Sequence, residues 1–114
     1  MATYHENGRT MWQFGKAYHP DGGTAWSFGK AYHTNGRPAW SFGKAHWPNG
    51  SQAWSFGKAY WDNGRTAYAF GKAYHANGRE MGRSETIELM LGEGIRLVCG
   101  SAGTQLYIYG QKVV

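Results

Sequence analysis

Aromatic and polar positions recur every 14 residues along the first two thirds of the chain. Repeat units begin at residues 4, 18, 32, 46, 60 and 74, and a complete unit reads approximately Tyr-His-x-Asn-Gly-Arg-x-Ala-Trp-Ser-Phe-Gly-Lys-Ala. Five units are complete, and the sixth breaks down after Arg79. Alternating aromatic segments separated by turn residues are typical of β-strands. The pattern therefore predicts an all-β tandem-repeat protein.

Asn-Gly or a related pair lies between the aromatic segments of successive units, and this is the strongest short-range signal for a β-hairpin. Each unit is expected to supply one strand and one turn, which gives an antiparallel β-meander. Pro20 and Pro48 favour a three-residue loop closed by a left-handed glycine, because proline cannot adopt the positive φ of a mirror-image turn. The turn glycines are Gly8, Gly22, Gly36, Gly50, Gly64 and Gly78.

A three-residue loop also predicts which side chains share a face of the meander. With residues 20–22 as the loop, Trp26 is expected to face Lys16, and the phenylalanines of successive units face one another in a central row. Each lysine ammonium then lies beside an indole or phenol ring. This aromatic and basic face is the candidate binding surface, comprising Trp12, Trp26, Trp40, Trp54, Tyr68, Phe28, Phe42, Phe56, Lys16, Lys30, Lys44, Lys58 and Lys72.

The opposite face of this meander is expected to carry Ala, Ser and Gly, unless each Phe-Gly step is instead a kink or corner. Two other architectures remain open. A β-solenoid would stack identical lysines about 4.8 Å apart, at a cost on the order of 1 kcal/mol for each neighbouring pair in water. An up-and-down barrel with the aromatic residues inside would have to bury five lysines. Both arguments favour the meander, as a single layer or as a sandwich formed by association.

The composition changes abruptly after Arg79, which divides the chain into a repeat region, residues 1–79, and a C-terminal segment, residues 80–114. Aliphatic residues alternate with polar ones over 87–91 and 95–99, and a third apolar run covers 106–109. The segment is expected to form three strands, although residues 85–91 alone could be a short helix. As an atypical terminal unit, it should cap one end of the array or fold back on one face.

The net charge of +5 belongs to the repeats. Residues 1–79 contain nine Lys and Arg against three acids, whereas residues 80–114 contain three against four. Aromatic residues make up 17% of the chain, roughly double the share of an ordinary domain. A basic surface rich in aromatic rings attracts phosphates, anionic glycans or membranes, although it is more often simply a solvated positive face.

Residue types with catalytic or metal-binding chemistry do not form a recognisable constellation. Cys99 is the only cysteine, no Cys/His spacing fits a zinc site, and no Ser/His/acid pattern stands out. His5, His19, His33 and His75 lie beside turns, where exposed imidazoles on alternating edges of the sheet are expected. The sequence therefore predicts a protein that is not an enzyme and holds neither a cofactor nor a metal.

Two turn segments, Tyr4-His5-Glu6-Asn7-Gly8-Arg9 and the equivalent residues 32–37, resemble the Tyr-x-x-Asn-Gly-Lys turns of MORN-type repeats. The resemblance covers short stretches within residues 4 to 79. It implies an array of β-hairpins used for scaffolding, protein contacts or lipid contact, and it carries no catalytic residues.

Two classes of function follow from these features. In the first, the protein is a structural, self-assembling scaffold or particle component, because the exposed aromatic face is far larger than a monomer tolerates and its partner is itself in a homo-oligomer. In the second, the same face is a module that binds carbohydrate or a polyanion such as single-stranded nucleic acid or an acidic glycan. No leader or membrane-spanning run is evident, so a cytoplasmic protein, a phage or virus particle, or leaderless export is expected.

Overall fold

The computed structural model describes residues 2–114, which fold into two antiparallel β-sheets. The first sheet has twelve strands in sequential order: β1 (Thr3–Tyr4), β2 (Thr10–Gln13), β3 (Lys16–Tyr18), β4 (Thr24–Ser27), β5 (Lys30–Tyr32), β6 (Pro38–Ser41), β7 (Lys44–His46), β8 (Gln52–Ser55), β9 (Lys58–Tyr60), β10 (Thr66–Ala69), β11 (Lys72–Tyr74) and β12 (Glu80–Arg83). The second sheet has four strands: β13 (Thr86–Gly92), β14 (Ile95–Gly100), β15 (Gly103–Ile108) and β16 (Gln111–Lys112). The described residues contain only strands and their connections, so none of them belongs to a helix long and apolar enough to span a membrane.

An antiparallel β-meander is the observed architecture, but the prediction of one strand per unit is wrong. Each complete unit contributes two short strands, because the Phe-Gly step is a second turn. In the first unit, Phe14 has φ 52° and Gly15 has φ 74°, and Gln13 pairs with Lys16 across them. Two successive residues with positive φ make a two-residue mirror-image turn, whose backbone twist suits the flanking strands. The strands therefore stop at Phe-Gly instead of running through it.

The other turn of each unit is a three-residue loop, as the two prolines indicated. In the second unit the Gly22 amide donates to the His19 carbonyl at 2.9 Å, and the His19 amide donates to the Gly23 carbonyl at 2.7 Å. The left-handed residue is Gly22, with φ 91°. The same geometry recurs at each of the other turn glycines, namely Gly8, Gly36, Gly50, Gly64 and Gly78.

A β-bulge beside this loop overturns the predicted register. Tyr18 pairs with Thr24, but Ala17 pairs with Trp26, so Ala25 is an extra residue on its strand. A bulge shifts the pairing by one position, and a shift of one moves side chains to the opposite face. The expected pairing of Trp26 with Lys16 is therefore wrong, and so is the central row of facing phenylalanines.

The register assigns tryptophan and lysine to different faces of the twelve-stranded sheet. The row of paired residues on one face, here called the inner face, consists of Trp12, Ala17, Trp26, Ala31, Trp40, Ala45, Trp54, Ala59, Tyr68 and Ala73. The opposite face, here called the outer face, carries the lysines, because they flank those alanines in the strands. A flat face of Ala, Ser and Gly does not form.

The second sheet covers the inner face, so the chain makes a two-layer structure by itself. Leu89, Leu97 and Ile108 are completely buried together with the tryptophans and alanines of the first sheet. The indole nitrogen of Trp12 donates a hydrogen bond to the Ile108 carbonyl at 3.1 Å. The three predicted strands of the C-terminal segment form and are joined by a fourth, β16, while the alternative of a helix at 85–91 is wrong.

The two alternative architectures, a solenoid and a closed barrel, do not occur, since consecutive strands pair in an open sheet. Twelve strands spaced about 4.8 Å apart would extend roughly 53 Å in a flat sheet. The longest dimension of the molecule is only 43 Å. The sheet is therefore strongly coiled, as the right-handed twist of successive strands requires.

Candidate functional site

Five of the predicted binding residues, Trp12, Trp26, Trp40, Trp54 and Tyr68, lie in the interior. They alternate with alanines on the inner face, and all are buried except Trp26, which is half-buried. Small residues between the large rings let the rings interdigitate with the second sheet. The structure thus separates these rings from the lysines with which the sequence grouped them.

Tyr68 also joins the two sheets through its hydroxyl. The phenol lies within hydrogen-bond distance of the Ser84 and Glu85 carbonyls, each at 3.2 Å, and accepts from the Ser101 amide at 3.2 Å. Its side chain is 1% exposed. A buried phenol needs such partners, so the position has a structural role that fits tyrosine and would not fit tryptophan.

Lysine and tyrosine side chains form the outer face. Lysine and the residue two positions later project to the same side of a strand, so each unit places one lysine beside one ring. The five pairs are Lys16 with Tyr18, Lys30 with Tyr32, Lys44 with His46, Lys58 with Tyr60, and Lys72 with Tyr74. All of these side chains are half-buried except that of Lys72, which is exposed.

The five phenylalanines occupy the Phe-Gly turns at one edge of the sheet, with their rings in solvent. The exposed fraction is 92% for Phe14 and lies between 84% and 88% for the four others. All five have φ between 50° and 52°, a region that residues with bulky side chains rarely adopt. Phe28, Phe42 and Phe56 are therefore accessible, as the candidate surface requires, but at turn tips and not in the middle of a strand.

Each exposed ring after the first is covered by the lysine of the preceding unit. The lysine Nζ atoms lie 4.7 to 5.0 Å from the ring centroids in four successive pairs, which are Lys16 over Phe28, Lys30 over Phe42, Lys44 over Phe56, and Lys58 over Phe70. This is cation–π geometry. The predicted partners of the lysines were indoles, and the observed partners are phenyl rings.

The charge pattern leaves these four lysines without carboxylate partners among residues 2–114. The two ion pairs in that range join Lys72 to Glu80 at 3.4 Å and Arg96 to Glu88 at 3.1 Å. The acids of the repeat region, Glu6, Asp21 and Asp62, all lie in the three-residue loops at the other end of the strands. The edge with the Phe-Gly turns is therefore a line of alternating ammonium groups and phenyl rings, here called the Lys-Phe line.

Equivalent residues of the line recur at every second strand. Since neighbouring strands lie about 4.8 Å apart, the repeat distance along the sheet is about 9.6 Å. This spacing is twice that of the solenoid considered above, so repulsion between neighbouring lysines is weaker. The line consequently presents one positive charge and one aromatic ring per repeat.

Open grooves lie on the outer face at both ends of the array. One, of about 670 Å³, is lined by Lys58, Tyr60, Arg65, Thr66 and Tyr74 together with Phe70 and nearby small residues. A groove of about 500 Å³ is formed by the equivalent residues four units earlier. Each groove is lined by one arginine, Arg65 in the larger groove and Arg9 in the smaller one.

Sequence reasoning missed the arginines and outer-face tyrosines that line these grooves. The sequence pattern could have indicated the arginines. The residue after the turn glycine is arginine in the first, third and fifth units, namely Arg9, Arg37 and Arg65. In the second and fourth units this residue is Gly23 and Ser51. The Arg9 guanidinium donates to the Asp21 carbonyl at 2.8 Å. Arg65 makes the equivalent bond to the Asn77 carbonyl, so both arginines connect their loop to the next one.

The prediction for the histidines beside the turns is wrong in two respects: they do not alternate between edges of the sheet, and two of them are buried. His5, His19 and His33 all lie on the loop edge, and their Nε2 atoms donate to the carbonyl 13 residues later at 2.6 to 2.7 Å. His19 is 1% exposed and His33 3%. Residues 2–114 hold no group of three side chains arranged to bind a metal ion.

The single thiol, that of Cys99, is buried in the second sheet, and burial raises its pKa to about 12. A thiol with so high a pKa stays protonated at neutral pH and is a poor nucleophile. Cys99 therefore acts as a small apolar residue of the core.

Comparison of the chain with protein-family models, with curated proteins and with solved structures finds no match in any of the three. The resemblance of residues 4–9 and 32–37 to MORN-type turns therefore stays a prediction.

Proposed function

We propose that the protein is a non-enzymatic binding module that holds an extended anionic polymer along the Lys-Phe line and the adjoining outer face. The observation that carries the proposal is the row of four lysines, each ordered over a phenyl ring and none with a carboxylate partner within residues 2–114. Unpaired cations at a regular spacing suit a ligand with charges distributed along its length.

Ordering of the lysines favours binding over a merely solvated positive surface. A free lysine loses side-chain entropy when it meets an anion. Contact with a ring at 4.7 to 5.0 Å already restricts each head group, which lowers that cost. The rings themselves and the outer-face tyrosines add apolar area beside each charge.

The test compares two double variants that remove the same amount of charge. Lys30→Met/Lys44→Met alters the outer face, whereas Arg96→Met/Lys112→Met alters the second sheet, and methionine keeps much of each aliphatic stem. Binding to heparin, oligo(dT) and hyaluronan is measured at two salt concentrations. We expect the outer-face variant to flatten the salt dependence on oligo(dT) by about 0.7 per lost contact, and the control variant to change it much less.

Two results would contradict the proposal. The first is that the unmodified protein binds no polyanion at low salt. The second is an equal loss of binding in both double variants, which would mean that only the net charge matters.

Self-association is the second candidate function, and one observation favours it. Five phenyl rings project into solvent in a single row, and such rows mark contact surfaces. The tryptophans no longer support this candidate, because the second sheet buries them within one chain. Sedimentation equilibrium of the protein and of Phe28→Asn/Phe42→Asn tests it: a homo-oligomer that dissociates in the variant is the expected result.

A further inference from the structure

We infer that the anionic polymer is an acidic polysaccharide of alternating neutral and charged sugars, which places one disaccharide against each repeat of the Lys-Phe line. The phenyl ring stacks on the apolar face of the neutral sugar, and the neighbouring lysine binds the carboxylate of the acidic sugar. This inference rests on the proposed function and narrows it to one class of ligand.

Folding does not explain the identity of the turn residues. The first position of a two-residue mirror-image turn favours Asn, Asp or Gly, because they adopt positive φ at little cost. Phenylalanine at φ 50° to 52° is strained, and its ring covers almost no protein surface, being 84% to 92% exposed. The same unfavourable choice recurs in all five complete units. Strain and exposure repeated in this way indicate that the rings contact a ligand.

The spacing of charges favours a polysaccharide over a nucleic acid. The line offers one lysine about every 9.6 Å, and a chain of alternating neutral and acidic sugars carries one carboxylate per disaccharide, whose extended length is close to two strand spacings. Nucleic acids carry a phosphate on every nucleotide, about 3.4 Å apart along each strand of a duplex. Most phosphates of a duplex would therefore find no lysine.

The polar residues of the outer face also suit a sugar. Outer-face positions opposite the lysines include Gln13, Ser27 and Ser41, which are at least partly exposed, whereas the equivalent Ser55 is buried and Ala69 is apolar. The rings two positions after the lysines are tyrosines in four of five units. Amide and hydroxyl groups both donate and accept hydrogen bonds, as sugar hydroxyls require.

Two other occupants fit the line less well. A membrane is planar, whereas the sheet is strongly coiled within a molecule whose longest dimension is 43 Å, so a plane fits the row of turn tips less well than a flexible chain does. A second copy bound through the same line would bring two rows of lysines against each other, with like charges opposed. A flexible anionic chain can follow the coil and neutralise the lysines.

The experiment titrates the protein with hyaluronan oligosaccharides of increasing length, with heparin, with oligo(dT) and with uncharged dextran. We expect affinity for hyaluronan to rise with each added disaccharide up to about four, one for each lysine–phenylalanine pair, and then to level off. Affinity for dextran should be far lower, because dextran lacks the carboxylates.

The decisive variant is Phe28→Asn/Phe42→Asn/Phe56→Asn, with Phe14→Asn as the matched control because no lysine covers the Phe14 ring within residues 2–114. The triple variant should lose at least about tenfold in hyaluronan affinity, since each stacked ring contributes substantially. Its salt dependence should stay the same, because the lysines remain. Its Tm should not fall, and glycine at the same three positions repeats the test without a side chain at positive φ.

The outcomes separate the inference from the proposed function. Two results together would overturn the polysaccharide inference and leave anion binding in place. The first is an affinity that follows charge density, with heparin and oligo(dT) bound far more tightly than hyaluronan. The second is that the triple variant binds hyaluronan as well as the unmodified protein does. If the unmodified protein binds none of the charged polymers at low salt, both fall. Loss of hyaluronan binding in Phe14→Asn to the same extent as in the triple variant would also overturn the assignment of the ring and lysine pairs.

Discussion

Substitution of a turn phenylalanine by asparagine should make the protein more stable, and by an amount that depends on the unit. Left-handed backbone costs a residue with a large side chain about 1 kcal/mol or more, and Asn-Gly is the preferred pair in this turn. Phe14 loses no lysine contact when replaced, because its ring carries none among the described residues. We therefore expect Phe14→Asn to raise the free energy of unfolding by about 1 kcal/mol.

The same substitution at Phe42 removes a favourable contact as well. The Lys30 Nζ atom lies 5.0 Å from the Phe42 ring centroid, and an exposed cation–π pair contributes about 0.5 to 1 kcal/mol. The gain at Phe42 should therefore shrink to between about 0 and 0.5 kcal/mol. A double-mutant cycle of Lys30→Met and Phe42→Asn measures the coupling energy between the two side chains directly. We expect this coupling energy to be about 0.5 kcal/mol or more.

Urea unfolding followed by tryptophan fluorescence measures the unmodified protein and its four variants. If the slope of the unfolding free energy against urea concentration is unchanged, a shift of the midpoint reports a change in stability and not a change in the unfolded state. A lower midpoint in Phe14→Asn, or an equal rise of the midpoint in Phe42→Asn and Phe14→Asn, would contradict the assigned strain and lysine contact.

Three further predictions concern the core, the loops and pH. Trp40→Ala should cost about 3 to 5 kcal/mol by urea unfolding, because the ring is buried between the sheets; a small loss would contradict that packing. Gly36→Val should cost about 1 to 3 kcal/mol, and the cost is backbone strain because no atom lies within 4 Å of an added Cβ at φ 85°; an unchanged Tm would count against the loop. Burial lowers the pKa of His33 from 6.5; the hydrogen bond to the His46 carbonyl partly opposes this effect, and the charges of His19 and His46 add to it. The unfolded state therefore binds the proton more readily, and stability should fall as the pH drops below about 6.5. In a pH series of melting curves His33→Gln should flatten this dependence, and an equally steep curve would exclude His33 as its source.

The candidate site was predictable in composition but not in arrangement. The sequence grouped lysine, phenylalanine and tryptophan on one face, and the structure keeps only the lysines and phenylalanines together. The tryptophans turn inward because a single bulge at Ala25 and its equivalents moves them to the other side of the sheet. One residue of slip reverses a strand face, so face assignments over several hairpins depend on every turn between them.

Strand length was misjudged for a related reason. Phe-Gly is not a common turn pair, and a phenylalanine in an aromatic segment is typical of a strand. Only the tertiary arrangement makes the step a turn. Short strands bring Trp12 and Ala17 into register under the second sheet, and burial of those residues compensates for the strain at Phe14.

Local sequence alone determined the all-β class, the 14-residue period, the loops at Pro20 and Pro48, and the separate aliphatic segment after residue 79, because each depends on neighbouring residues and on turn geometry. The tertiary structure decided which face is buried, since that depends on long-range contacts such as the hydrogen bond from Trp12 to Ile108. It also decided that the phenyl rings project into solvent and that four of the five repeat lysines meet the ring of the next unit. These contacts join residues 12 or more positions apart, where sequence pattern has no direct influence on distance.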